Sequence, residues 1–254
     1  MELTVLGSGT VAPTPERTAA AHWVDAPPVK LLLDCGAGAL HRAATFGIPW
    51  AEATHVAITH FHQDHWGELG MYLFALRWGI EPPRSEPLLL IGPAGLRTRL
   101  RLLAGAYGDW MLEPGFPLEV REISPGESVA LAGDVELEAC KTPHTPESLA
   151  YSVRTGGLRL VYTGDTGPSE ELARWAQGCD LLLAECSLPD ERAIELHLTP
   201  SQAGVLARDA SAHRLVLTHF YPVFGQTDPA AVARNEFDGE VVAASDGDRF
   251  TVGE

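Results

Sequence analysis

Lysine is nearly absent from this chain. Of 18 basic residues only Lys30 and Lys141 are lysines, against 34 acidic residues and a net charge of −16. A protein that grips a long polyanion concentrates positive charge, because phosphate contacts and counterion release supply its affinity. No basic cluster stands out, which argues against an extended nucleic acid as the partner and leaves a small phosphate ester open. No run approaches the 18 or so apolar residues of a membrane-spanning helix, so no membrane partner is expected. The N-terminus, Met1-Glu2-Leu3-Thr4-Val5-Leu6, enters a strand-like pattern at once, without the basic segment and apolar stretch of a secretory signal. A cytoplasmic location is the expectation. The four cysteines, Cys35, Cys140, Cys179 and Cys186, contain no C-x-x-C pair and suggest no disulfide framework. Buried free thiols are the expectation for them. Short repeats, low-complexity tracts and linkers are also lacking. The 254 residues, 45% of them hydrophobic, are therefore expected to form one domain, 1–254, around a sizeable core.

Short apolar runs predict strands at Leu3–Leu6, Lys30–Leu33, His55–Thr59, Leu88–Ile91, Leu118–Ile123 and Val135–Ala139. Tyr151–Arg154 and Leu158–Tyr162 flank Gly156-Gly157, a hairpin signal. Three helix–strand units follow. Ser169 is placed to cap a helix with Glu170 and Glu171 in its first turn, ahead of the run Asp180–Ala184. Thr199-Pro200-Ser201-Gln202 has capping-box spacing with proline at the first helical position, and its helix should run to about Ala210, before Arg214–Thr218. Asp228-Pro229 opens a third helix, before Glu240–Ala244. Glu81–Pro87 and Glu113–Pro117 read as proline-rich loops. Strands followed by helix–strand alternation predict two packed sheets with helices outside, an α+β arrangement.

One stretch carries the chemistry. Thr59-His60-Phe61-His62-Gln63-Asp64-His65 places four metal-binding side chains within six residues, directly after a predicted strand. Histidine makes up only 10 of 254 residues, so chance clustering on a polar loop is a weak explanation. Imidazole with carboxylate suits zinc and its neighbours. Three further donors also follow strands: His144 in Thr142-Pro143-His144-Thr145, Asp165 in Thr163-Gly164-Asp165-Thr166, and His219 in Thr218-His219-Phe220. Each alone would more often be structural. Joined to the first cluster they make seven ligands, about what a two-metal hydrolytic site needs.

The pattern resembles the metallo-β-lactamase superfamily, whose fold is a four-layered αββα sandwich. The H-x-H-x-D-H motif of that family matches His60, His62, Asp64 and His65 without a gap, and its later ligands match His144, Asp165 and His219. The resemblance implies that His60, His62 and His144 hold one metal, that Asp64, His65 and His219 hold the other, and that Asp165 bridges them. Iron-binding redox members use glutamate at the second position. His62 stands there in this chain, which favours two zinc ions, with Mn2+ as an alternative. No flavin domain follows.

Within the superfamily the chain looks most like the ribonuclease Z group. Leu6-Gly7-Ser8-Gly9-Thr10, Pro13-Thr14-Pro15-Glu16-Arg17 and Gly92-Pro93-Ala94-Gly95 resemble segments of that group. So do Ala184-Glu185-Cys186 and His197-Leu198-Thr199, with His197 placed 22 residues before His219. Alone, His197 would read as the flank of a helix. The resemblance implies phosphodiester cleavage. Two metals acidify a shared, bridging water, and His197 serves as general acid or phosphate ligand, oriented by Glu185. Asp64 binds metal and accepts a proton from the nucleophile. Only 20 residues lie between His144 and Asp165, too few for the tRNA-binding arm of the tRNA-processing enzymes. The armless cyclic-phosphate phosphodiesterases carry a cysteine-rich zinc site that is missing here. A small phosphodiester is therefore the expected substrate, and a homodimer is expected by resemblance. The alternatives are a thioester- or lactam-type hydrolase, an armless ribonuclease Z acting on RNA, and a non-catalytic metal-binding relative. The full ligand set speaks against the last.

Other polar residues have plainer readings. Asp34 is expected to support a ligand by hydrogen bonding, and Asp246-Gly247 to do the same. His22, His41, His55 and His213 read as core or surface histidines. Trp66, Met71, Tyr72, Phe74 and Trp78 read as core packing, with Trp66 also able to line the cleft mouth.

Overall fold

A computed structural model describes residues 1–225 and 227–253. Two seven-stranded sheets pack face to face. The first carries β1 (Glu2–Gly7), β2 (Ala21–Ala26), β3 (Val29–Leu33), β4 (His55–Ala57), β5 (Leu88–Gly92) and β6 (Leu118–Glu122), side by side in that order. The second carries β7 (Ser128–Ala130), β8 (Glu136–Lys141), β9 (Leu149–Thr155), β10 (Leu158–Tyr162), β11 (Leu181–Glu185), β12 (Arg214–Thr218) and β13 (Glu240–Ala243). The last strand, β14 (Arg249–Thr251), returns to the first sheet and pairs with β1. Each sheet starts as antiparallel hairpins and ends as a parallel run, β3 to β6 in one and β10 to β13 in the other.

Helices cover both outer faces. α1 (Ala39–Thr45), α2 (Gln63–Trp66), α3 (Leu69–Trp78) and α4 (Leu96–Tyr107) lie with the first sheet. α5 (Glu170–Trp175), α6 (Pro200–Asp209) and α7 (Pro229–Ala233) lie with the second. Strand residues alternate between layers, as the two-residue period requires. Leu31 and Leu33 point into the space between the sheets, where they meet Val153, Leu160 and Leu183. Leu32 points outward against Tyr72 and Leu73 of α3. Leu182 likewise faces Leu172 of α5 and Leu206 of α6. Both faces being covered, these strands read as unbroken apolar runs. Each fully buried leucine contributes roughly 1.5–3 kcal/mol. The result is the expected αββα sandwich.

The expected turns and caps are present. Thr155 pairs with Leu158 across Gly156 and Gly157, whose φ values of 57° and 82° a two-residue hairpin of this hand demands. Ser169 accepts from the Leu172 amide, Thr199 and Gln202 form a full capping box with Pro200 in the first turn, and Asp228 accepts from the Ala230 amide. All four cysteines are buried and free.

Two expectations fail. The strand at His55 stops at Ala57. Met71, Phe74 and Trp78 are not core: they are 59%, 44% and 51% exposed. The inward positions of α3 are Leu69, Tyr72, Leu73 and Leu76 at helical spacing, which turns the other three to the far side. Met71 and Phe74 line an open groove of about 570 Å3 with Trp66, Leu103, Tyr107 and Trp110. Among the described residues no helix is long and apolar enough to cross a membrane.

Candidate metal centre

Parallel strands bring their carboxyl ends to one edge of the sandwich, the usual place for a site in such sheets. Asp34 follows β3, the His60–His65 stretch follows β4, Asp165 follows β10, Glu185 ends β11 and His219 follows β12. β8 runs the same way as β10, two strands along, so His144 arrives there too.

The seven predicted donors fall into two groups around Asp165. On one side His62 Nδ1 lies 3.1 Å from His144 Nε2, which is 3.5 Å from Asp165 Oδ2. His60 Nε2 is 3.7 Å from the same oxygen. On the other side His65 Nε2 is 3.2 Å from His219 Nε2 and 3.1 Å from Asp165 Oδ1. His219 Nε2 is 3.4 Å from Oδ1 and 3.5 Å from Asp64 Oδ2. Donors about 2.0–2.1 Å from a tetrahedral zinc stand roughly 3.3 Å apart. Both groups are therefore pre-spaced for an ion. The buried His60 Nε2 has no hydrogen-bond partner, an expensive arrangement unless something else binds it. The donor set thus fits two divalent ions.

The outer nitrogens of four of the five rings are held, which leaves their inner ones free. His65 Nδ1 lies 2.7 Å from Asp34 Oδ2, His144 Nδ1 lies 3.0 Å from the Leu196 carbonyl, and His60 Nδ1 lies 3.1 Å from Thr59 Oγ1. His219 Nδ1 lies 2.9 Å from Ser187 Oγ, which in turn donates to Glu185 Oε2. Each contact favours the tautomer whose Nε2 lone pair faces the cluster. Asp34 also accepts from the Thr59 amide and the Tyr162 hydroxyl, at 2.8 Å each. Asp34 and His219 sit at φ 58° and 63°, a conformation that non-glycine residues adopt at some cost and that here aims both side chains inward.

Electrostatics favour ligand forms. Burial pushes the pKa of His60 well below, and that of His144 below, the ordinary imidazole value, so both rings are neutral. Burial opposes a charged Asp165, but the His219 and His65 rings outweigh it and hold its carboxyl well below the usual range. For His65, too, burial is outweighed, by Asp165 and Asp34, and its pKa lies well above the ordinary value. Loading a metal there must therefore release a proton.

Glu185 and His197 complete the predicted set. His197 Nδ1 lies 2.9 Å from Glu185 Oε1, and the ring stacks on His219 at 5.9 Å between centroids. Its binding nitrogen, Asp165 and His219 lie within 4.8 Å of one another. Burial disfavours the charged ring, but the Glu185 carboxylate outweighs burial and raises the His197 pKa. His60, His65, Asp64, Asp165 and His219 form a buried floor, while His62, His144, His197 and Tyr221 stand at the solvent side.

Asp34 supports His65 as expected. Asp246 does not hold a ligand: it accepts from the amides and hydroxyls of Ser8 and Thr18. Ser8 then accepts from the Phe220 amide, so Asp246 braces the chain beside His219 instead. Its neighbour Gly247, at φ 97°, leaves room for the Phe46 ring. Sequence reasoning missed Ser187, whose spacing two residues after Glu185 is its only signal. It also missed Lys141, whose ammonium donates to the carbonyls of Thr142, Thr145 and Ser148 and so holds the turn bearing His144. His22 and His55 are core histidines, while His41 and His213 are exposed.

Residues 30–220 match the family described as the beta-lactamase superfamily domain. Along 99% of its length the chain is 30% identical to a protein of Mycobacterium bovis named ribonuclease Z, of which it covers 98%. It superposes on human tRNase Z, short form, with a TM-score of 0.81 at 25% identity, over the whole of both chains. It superposes on the metallo-beta-lactamase fold protein YhfI from Bacillus subtilis with a TM-score of 0.83 at 24% identity, covering 98% of each, a likeness of fold. The expectation that argued against an extended nucleic acid is therefore not borne out. Net charge averages over the surface, whereas residues 88–107 carry Arg97, Arg99 and Arg101 and no acid.

Proposed function

As a member of the beta-lactamase superfamily the chain is a metal-dependent hydrolase, and we propose that the bond it cleaves is a phosphodiester. The observation that carries this reading is the Glu185–His197 pair beside the two donor groups. A lactam or thioester hydrolase needs the donors but not that pair.

In this reading His60, His62 and His144 hold one ion, Asp64, His65 and His219 the other, with Asp165 between them. Zinc suits the donors, and manganese is the alternative. When bound, such ions supply Lewis-acid chemistry, acidifying water and offsetting charge on the phosphoryl oxygens. The protein's own groups do the rest. Glu185 favours the charged form of His197 and fixes its Nδ1, so that Nε2–H can reach either a phosphoryl oxygen or the leaving alkoxide. A departing alkoxide takes that proton, after which Glu185 steadies the neutral ring. Asp64, held ionised chiefly by its contacts with His219 against the cost of burial, can accept a proton from attacking water. Both RNA, as the name of the Mycobacterium bovis relative suggests, and small diesters present this bond. Each half of the sequence lacks part of each donor group, so we read 1–254 as one catalytic domain.

The test is His197→Ala compared on two diesters. A dinucleotide, which leaves as an alkoxide, should lose about 10²–10⁴-fold in kcat. Bis-p-nitrophenyl phosphate, whose leaving group needs no acid, should lose far less. Bound metal, measured by plasma mass spectrometry, should be unchanged. Equal losses on both esters would remove His197 as the acid. Turnover of thioesters or nitrocefin without turnover of any diester would remove the phosphodiesterase reading.

A further inference from the structure

Arg99 lies on α4, outside the donor set, yet it is tied to the rim of that set at two points. Its guanidinium lies over the Phe61 ring at 4.0 Å, and Phe61 stands between His60 and His62. Its Nη2 is 3.4 Å from Glu147 Oε1, three residues beyond His144. Both tethers thus belong to segments that supply the His60–His62–His144 group. A long side chain 39% exposed would ordinarily wander in solvent. Here it folds back, and Gly95 makes the room: a Cβ there would stand 2.5 Å from Arg99 Nη1. The nearby acid Glu122 is engaged elsewhere, accepting from the Gly95 and Arg97 amides. Glu147 is left as a loose partner, at a distance long for a charge-assisted hydrogen bond.

We infer that Arg99 is a specificity-determining residue that receives a second anionic group of the substrate beside the bond to be cut, so that diesters with a neighbouring phosphate are preferred. This rests on the phosphodiesterase reading above. Arginine suits the task, because its planar fork matches a phosphate and stays charged. Phe61 presets the fork without neutralising it. Glu147 holds it until a stronger anion arrives. In a chain of net charge −16, such a local cation decides whether a doubly charged ester is tolerated at the mouth at all.

The test uses two chromogenic esters with the same scissile bond: thymidine 5′-(p-nitrophenyl phosphate), and the same ester phosphorylated on its 3′ oxygen. The wild-type protein should show a KM lower by about fivefold for the second ester, and that preference should shrink toward unity at about 0.5 M salt. Arg99→Gln should abolish the preference, and Glu147→Gln should enlarge it. Arg208→Gln on α6, an exposed control, should leave it as it was. An unchanged KM ratio in Arg99→Gln, or no preference in the wild type, overturns the inference while leaving diester cleavage intact. Failure to cleave either ester overturns the underlying reading instead.

Discussion

Replacing Asp34 with asparagine should weaken one metal ion far more than the other. The substitution keeps the shape, and asparagine tolerates φ 58°. An amide can still accept from the Thr59 amide and hydroxyl through its oxygen. Its NH2 then occupies the place of Oδ2, where His65 Nδ1–H and the Tyr162 hydroxyl both donate. Tyr162 can turn its hydroxyl to accept. His65 can only switch tautomer, which moves its proton to Nε2 and removes the lone pair that faces Asp165 and His219. Loss of such a supporting partner costs 10- to 100-fold in affinity, or about 1.4–2.7 kcal/mol. The loss should fall on the ion held by Asp64, His65 and His219. The His60–His62–His144 group, whose outer nitrogens go to Thr59 and Leu196, should keep its affinity within about threefold. Competition against a chromophoric zinc chelator resolves the two dissociation constants. Urea unfolding of the metal-free protein should show a loss of about 1–3 kcal/mol from the imperfectly paired buried groups. A folded Asp34→Asn variant with both dissociation constants unchanged would refute the reasoning.

Other perturbations have equally definite outcomes. Gly164 precedes Asp165 at φ 55°, and a Cβ there would lie 2.9 Å from Thr59 Cβ, so Gly164→Ala should displace Asp165 and weaken both ions together; calorimetry showing wild-type stoichiometry and affinity would sink this. Burial pushes the His55 pKa down to about 4, against 6.5 in the unfolded chain, so its contribution to stability is intact above pH 6.5 and lost as pH falls toward 4. Metal-free protein should lose about 2.5 kcal/mol between pH 7 and pH 4.5 beyond the loss seen in His55→Gln, a difference that urea titrations at those two pH values would reveal or exclude. Lys141→Met removes the ammonium that ties three carbonyls together, each of which keeps one backbone N–H, and should weaken the ion held with His144 by about tenfold; unchanged affinity for that ion would show that the turn holds its shape unaided.

The donors were legible because metal chemistry forces particular residue types into particular spacings. Asp64 and His65 could not be dispersed without losing the turn of α2 that presents them together. The second half of the fold was legible through caps: Ser169, Thr199 and Asp228 each mark a helix start by a local hydrogen bond. The first half was harder. β2, Ala21–Ala26, is buried almost throughout and includes His22, Trp23 and Asp25, so neither alternation nor an apolar run announces it. α3 is apolar around most of its circumference, which blurred its inward stripe and let Met71, Phe74 and Trp78 pass for core. Ser187, Lys141 and Arg99 escaped because their roles depend on partners distant in sequence or on backbone carbonyls, which leave no pattern in residue order. The net charge could not decide on nucleic acid, because a sum over the chain says nothing of where arginines gather.

Asp165 joins donors from two different sheets. His60, His62, Asp64 and His65 hang from the first sheet; His144, Asp165 and His219 hang from the second. Neither sheet alone holds a complete donor group, so in the proposed reading activity would report on their docking. Cutting the chain in the exposed turn at residues 124–127 would give two pieces, each with half a clasp, and bound ions would rivet them across the seam. The C-terminal piece would still lend β14 to the edge of the other's sheet, beside β1. Such a pair would act as a metal-gated complementation switch, silent when the pieces part and active only when ion and strand close the seam together.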